Sequence, residues 1–264
     1  MAAPAAACDM SDGTRFVKTA DEAALPQLLA EADGLRALRA AGSVRVPEVI
    51  SCGLAGGRAQ LVVERFDLRP LDRRSGATLG RALAALHRHD GSRYGWTGDN
   101  FIGDTPQQNG WHHSWPLFFA QRRLAPQLAW ARQHGMERVL AERGEGLLQR
   151  LPALFLDYQP VASLLHGDFW GGNAGALPDG TPVIFDPAVH YGDRETDIAM
   201  AELFGGFPDS FYAAYREAWP LDSGYELRKP LYNLYHVLNH FNLFGTGYLG
   251  QARRMIDKLR SELG

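Results

Sequence analysis

An aspartate in a glycine-rich loop, an asparagine five residues on and a second aspartate ending a β-branched run constrain this chain more than any other feature. They are Asp168, Asn173 and Asp186, carried by Leu164-Leu165-His166-Gly167-Asp168-Phe169-Trp170-Gly171-Gly172-Asn173 and Val183-Ile184-Phe185-Asp186-Pro187. The order is that of a phosphoryl-transfer site, in which one Asp orients an attacking hydroxyl while the Asn and the second Asp hold Mg²⁺ against nucleotide phosphates. Taken alone, Asp168 could as well cap a turn, as Gly-Asp pairs do. In series with Asn173 and Asp186 it reads as the base. An ionised carboxylate suffices for that task, because the hydroxyl proton becomes acidic only late in a loose transition state. Asn173 offers a neutral oxygen and Asp186 a charged one to a hard cation that keeps waters and phosphate oxygens for its other positions. His166 reads as the residue that holds the loop through backbone hydrogen bonds, in preference to a catalytic or metal-binding one.

Such a site also needs a cation on the phosphates. Lys18 is the sole lysine before position 229, and it ends the strand-like run Arg15-Phe16-Val17-Lys18 after the turn pair Asp12-Gly13. An Ala- and Leu-rich helix over about 21–41 follows and carries Glu31 at the spacing of a Lys–Glu pair; Glu22 competes but lies too near the strand. Two further strands are expected at 48–53 and 59–64 around Gly56-Gly57. Glu64 then falls at a strand-to-connector change, where backbone groups of Glu64, Arg65 and Phe66 would bond an adenine.

The remainder reads as mostly helical: about 78–89, with Leu79, Leu83 and Leu86 on one face, then 117–134, 137–151 and 195 to the end. The stretch 93–116 reads as a long aromatic-bearing loop, a kind that is usually functional or disordered. The expected organisation is therefore α+β, with a nucleotide-binding N-lobe over 1–66 and a helical C-lobe over 67–264 that carries the catalytic loop and an acceptor site. A formal net charge of −3 argues against a dedicated nucleic-acid or membrane-surface binder. No run of about 18 apolar residues occurs, and the Ala-rich start lacks the basic region of a signal peptide. Two cysteines, Cys8 and Cys52, form no metal or disulfide pattern. The expectation is a cytoplasmic protein, monomeric or weakly dimeric.

Longer segments carry a family resemblance: HGDFWGGN at 166–173, VIFDPAVHYGDRETDIAM at 183–200, FGGF at 204–207, YNLYHVLNHFNLFG at 232–245 and NGWHHSWPLFFAQRRLAPQL at 109–128. With these the chain resembles the fructosamine kinases (ketosamine-3-kinases), which have the aminoglycoside-phosphotransferase and protein-kinase-like fold. The resemblance implies a two-lobed molecule with a small β-rich N-lobe. It also implies Mg²⁺- and ATP-dependent phosphorylation of the C3 hydroxyl of sugar adducts on amines, whose 3-phosphates then eliminate and free the amine. It gives Asp168 as base, Asn173 and Asp186 as metal ligands, Lys18 and Glu31 as the phosphate-positioning pair, and Trp170 beside the sugar, a position where core packing is the competing role. Asp193 and Glu195 are candidates for the amine side, while Arg194 and Asp197 read as fasteners. His236 and Asn239, in an aromatic series otherwise read as core, are candidates for the acceptor pocket. Family members carry a Gly-rich β-hairpin before the lysine strand; here seventeen residues precede Lys18, and Cys8-Asp9-Met10-Ser11 could supply the end of its second strand. The expected N-lobe is thus abbreviated, or its reading frame was started late. Three other readings stay open: a different small-molecule kinase for aminoglycosides, choline or a sugar, a ligand-binding member with weak catalysis, and a metal hydrolase using His166, Asp168 and Asp186.

Overall fold

The protein is described by a computed structural model that covers Ala6–Ala7 and residues 13–264; the segment Cys8-Asp9-Met10-Ser11 lies outside the described residues. In chain order, strand β1 is Ala6–Ala7 and β2 is Arg15–Asp21. Helix α1 (Leu25–Ala41) follows, then β3 (Val49–Ala55), β4 (Arg58–Glu64) and α2 (Arg73–Leu86). Next come the short strands β5 (Asn100–Ile102) and β6 (Thr105–Gln107), and the helices α3 (Trp115–Phe118), α4 (Ala125–Gln133) and α5 (Arg138–Leu148). Strands β7 (Ser163–Leu165), β8 (Ala174–Ala176), β9 (Pro182–Ile184) and β10 (His190–Gly192) surround the catalytic-loop sequence, and α6 (Glu195–Phe204), α7 (Asp209–Ala218), α8 (Tyr225–Phe244) and α9 (Leu249–Leu263) complete the chain. The class is α+β, as expected from the sequence.

The chain forms two compact units. The first runs up to His89 and adds 166–189 and 206–220; the second comprises 90–165, 190–205 and 221–264. Compactness thus groups the chain differently from the expected division at 66/67. Two features account for this. Helix α2 packs along α7, and the β8–β9 hairpin is bridged to the N-terminal part through Arg45↔Val183 and Arg69↔Ala176.

In the first unit, an antiparallel sheet has the order β1-β2-β4-β3. Register pairs Lys18 with Leu61 and Arg15 with Glu64. Strand β4 alternates strictly, burying Ala59, Leu61 and Val63, as a sheet with one covered face requires. Helix α1 ends at Gly42, whose φ of 68° is the left-handed cap that glycine takes without penalty. Helix α2 starts five residues before the expected Thr78, because Asp72 and Ser75 form a reciprocal capping box. Its Leu79, Leu83 and Leu86 are fully buried as the sequence spacing required. Gly80 is fixed by packing: a Cβ there would stand 2.3 Å from the Phe211 carbonyl of α7.

The second unit is built around α8. Twelve of its side chains are buried, and α4, α6 and α9 pack on it. Trp115 is 1% exposed among Tyr94, Phe118, Phe119 and Tyr232. The segment 93–116, expected as loop, contains the β5–β6 hairpin turned at Gly103, φ 58°. It is pinned by a buried polar set: Asn109 and Gln107 both donate to Asn100 Oδ1, and Arg123 donates to Asn109 Oδ1. The expected helix over 117–134 is interrupted by a π-helical turn at Phe119–Leu124. No helix among the described residues is long and apolar enough to cross a membrane.

Candidate active site

The first unit brings together Lys18, Glu31, Asp168, Asn173 and Asp186. Lys18 projects from mid-β2 and Glu31 from the second turn of α1. The ammonium stands 2.7 Å from Glu31 Oε1 and 2.6 Å from Asp186 Oδ1. Burial pulls the lysine pKa down, but the two carboxylates outweigh it and the net direction is up. Glu31 is pushed up to about 7 by burial, with the charge of Asp186 adding to this and Lys18 opposing it. One cation therefore serves two acids, and any second cation reaching Asp186 would relieve the shortage.

Backbone geometry singles out Asp186. Its φ of 56° makes it the one non-glycine residue in the left-handed region among the described residues, a conformation that aspartate tolerates better than most side chains yet one that still signals local strain. The surrounding loop over-determines it. His166 accepts the Asp168 N–H at Nδ1, 3.3 Å away, so its Nε2–H donates to the Phe185 carbonyl at 2.9 Å. This is the loop-holding role expected from the sequence. Ala188 N–H returns to the His166 carbonyl. Gly167, φ 82°, admits no side chain, since a Cβ would meet the Ala188 carbonyl at 2.0 Å.

Asn173 Nδ2 donates to the backbone carbonyl and to Oδ2 of Asp168, both at 2.9 Å. Those acceptors fix the amide orientation and leave Oδ1 as the atom Asn173 can offer a cation. Asp186, 43% exposed at its side chain, offers carboxylate oxygens beside it. Two hard oxygen donors, with no cluster of three His, Cys, Asp or Glu among the described residues, suit Mg²⁺ completed by phosphates and waters, and do not suit a self-sufficient zinc site.

A cavity of about 400 Å³ adjoins Lys18 and Asp186. Phe16, Val63, Leu68 and Phe185 give it apolar walls, and Glu64, Arg65 and Phe66 line one side. Of the three expected hinge residues, Glu64 has its N–H engaged by the Glu48 carbonyl and Arg65 by Thr14. The Phe66 N–H has no acceptor among the described residues, so it is the donor open to a base edge. Trp170 is 40% exposed, whereas its neighbour Phe169 is buried in a stack with Phe207 and Phe211. The pair thus splits between platform and core.

The second unit holds the other sequence candidates, and there the roles differ from those expected. Asp193 and Glu195 have no exposed surface. Asp193 accepts from Tyr232 (2.5 Å), Tyr158 (3.0 Å) and the Glu195 N–H (3.0 Å). Glu195 forms a bidentate pair with Arg228 at 2.8 and 3.0 Å, and Arg228 also reaches Asp222 and lies 3.8 Å over the Tyr158 ring. Burial raises the pKa of both acids, that of Glu195 to about 7 with the charge of Asp193 adding to it. These are structural saturations and leave no face for an amine. Asn239 is similarly engaged: Oδ1 accepts from Thr105 and Gln127 and ties the hairpin and α4 to α8. His236 differs. It is buried, its Nδ1 has no partner, and burial drops its pKa to about 3, so it is neutral. Tyr158, Arg228 and Arg123 were not singled out by the sequence reading, and Tyr232 was read as core; their polar partners Asp193, Glu195 and Asn109 lie 14–39 positions away, where no local pattern signals them.

The fold is shared with a solved structure of low sequence identity. A thermostable mutant of an aminoglycoside phosphotransferase superposes with a TM-score of 0.64 at 18% identity, over 96% of this chain and 88% of its own. The chain belongs to the fructosamine kinase family, whose sequence profile matches residues 3–262. It is 46% identical to a probable ketoamine kinase of Synechocystis sp. over 92% of this chain and 82% of that protein. It is 39% identical to the chloroplastic protein-ribulosamine 3-kinase of Arabidopsis thaliana, over 93% and 76%. A crystal structure from Thermobifida fusca that carries the fructosamine-3-kinase name superposes with a TM-score of 0.85 at 32% identity, covering 98% of this chain and 94% of that one. The chain is an ATP-dependent phosphotransferase with an alcohol acceptor.

Proposed function

We propose that the protein transfers the γ-phosphoryl group of ATP to the C3 hydroxyl of a ketosamine, a fructosamine or ribulosamine on a free or protein-bound amine, as a repair of glycation. The observation that carries this reading is the convergence of Lys18, Glu31, Asp168, Asn173 and Asp186 in one compact unit beside a cavity of about 400 Å³. Asp168 orients the acceptor hydroxyl and takes its proton as the O3–P bond forms and the bond from the γ-phosphorus to the bridging oxygen breaks, releasing ADP. Lys18, held by Glu31, neutralises the α- and β-phosphates. Asn173 Oδ1 and Asp186 would hold Mg²⁺, which supplies charge neutralisation of the phosphates when bound. Phe66 N–H bonds the base. The exposed indole of Trp170 offers its face to the C–H side of the sugar. The site works in the cytoplasm, on a monomer or weak homodimer, with residues 1–66 as the nucleotide lobe and 67–264 as the lobe of the catalytic loop and acceptor.

A coupled ADP-release assay with Mg·ATP tests the acceptor class. Ribulose-lysine and fructose-lysine are offered side by side with aminoglycosides and choline. ADP release with a ketosamine and none with the others is the expected result; release with an aminoglycoside or choline alone would replace the acceptor.

A further inference from the structure

The nucleotide cavity has a charge problem. Its lining carries three carboxylates, Glu31, Glu64 and Asp186, against two cations, Lys18 and Arg65. A triphosphate is itself polyanionic, so each uncompensated acid in the wall opposes it. Lys18 answers Glu31 and Asp186. Glu64 is answered from outside the cavity by Arg45, whose Nη2 donates to Glu64 Oε1, while the Glu48 N–H donates to Oε2 at 3.3 Å. The Arg45 guanidinium is held from a second side, 5.1 Å over the Phe66 ring. Its main chain is anchored too: the Arg45 carbonyl accepts the Ile184 N–H at 3.1 Å, on the strand that leads into Asp186. Arg45 thus touches the hinge acid, the hinge aromatic and the strand that precedes Asp186.

We propose that Arg45 is a positioning residue for nucleotide affinity: it holds the Glu64 carboxylate in an ion pair, so that the charge of Glu64 is compensated and does not oppose the triphosphate. This rests on the nucleotide site proposed above and adds to it a residue that does not line the cavity. Without Arg45, Glu64 keeps one backbone donor and is free to swing its charge toward the phosphates. The effect falls on phosphate-bearing ligands and spares the nucleoside.

The test is calorimetric binding of Mg·ATP and of adenosine to the full chain. Arg45→Met weakens Mg·ATP about tenfold and leaves adenosine within about threefold of wild type. Adding Glu64→Gln to Arg45→Met restores Mg·ATP affinity to within about threefold, because the opposing charge is gone. Unchanged Mg·ATP binding by Arg45→Met, equal losses for Mg·ATP and adenosine, or a double variant as weak as the single one would each overturn the proposal. If Arg45→Met does not fold, Arg45→Gln carries the same outcomes. Wild-type protein that binds no Mg·ATP would instead overturn the nucleotide reading itself.

Discussion

Asp186 and Asp193 lie seven residues apart and live in opposite circumstances. Asp186 is in the first compact unit, partly exposed, at a positive φ, sharing one lysine with a second acid. Asp193 is in the second unit, wholly buried, and accepts from two tyrosines and a backbone N–H. Asp186 ends the apolar run Val183-Ile184-Phe185, while Asp193 stands with Glu195 and Asp197 in a charged stretch. Burial and saturation separate them: an acid whose donors are complete stabilises the fold, while one left short of cations, on a strained backbone and beside a cavity, is placed to take a ligand.

Substitutions can break that contrast at either end. Asp186→Asn keeps a side chain that tolerates the left-handed backbone and removes the charge. It should lower kcat/KM on the order of 10³-fold, with Tm within a few degrees of wild type. A large loss of stability would place Asp186 in the class of Asp193. Arg228→Met strips the buried Glu195 and the partly exposed Asp222 of their partner and should cost about 3–5 kcal/mol in urea unfolding. Turnover per folded molecule should hold; a stable but inactive variant would return Glu195 to the substrate.

The smallest effect is acid sensitivity. His236 is held neutral by burial, with a folded pKa of about 3 against the ordinary 6.5. The unfolded chain takes up the proton below pH 6.5 and the folded chain does not. The stabilisation from keeping His236 neutral is therefore full above pH 6.5 and is lost as pH falls toward 3, at about 1.4 kcal/mol per pH unit. Urea unfolding at pH 7, 5.5 and 4.5 should show a shallower acid decline for His236→Gln than for wild type. Identical slopes would mean that the imidazole protonates in the folded state.

The grouping in the first unit was easier to read from sequence than that in the second, for a physical reason. A phosphoryl-transfer site would need its residues in a fixed local order, which singled out Asp168, Asn173 and Asp186, and the strand–helix spacing singled out Lys18 and Glu31; the structure brings Asn173 onto Asp168 and Lys18 onto Glu31 and Asp186. The part of Asp193 and Glu195 was not legible, because it is set by Tyr158, 35 positions before Asp193, and Arg228, 33 positions after Glu195. The contacts of Asn239 were hidden for the same reason: its partners Thr105 and Gln127 come from the distant hairpin and α4. The hairpin itself was hidden by strands of three residues, one containing Pro106, which read as loop. Helix α2 was read short because Arg73-Arg74-Ser75-Gly76 looks like a connector until the Asp72–Ser75 cap and the close approach of α7 are seen. Arg45 left no trace in pattern; its partners are two side chains of the hinge and a strand 138 positions on.

The central claim is that the Asp168 loop phosphorylates a ketosamine. Phosphorus NMR of the protein with Mg·ATP and ribulose-lysine tests it most directly. The expected result is a sugar phosphate ester at C3 forming in equal amount to ADP, and neither product with Asp168→Ala. ADP with inorganic phosphate and no ester, or ester formation that persists in Asp168→Ala, would contradict it.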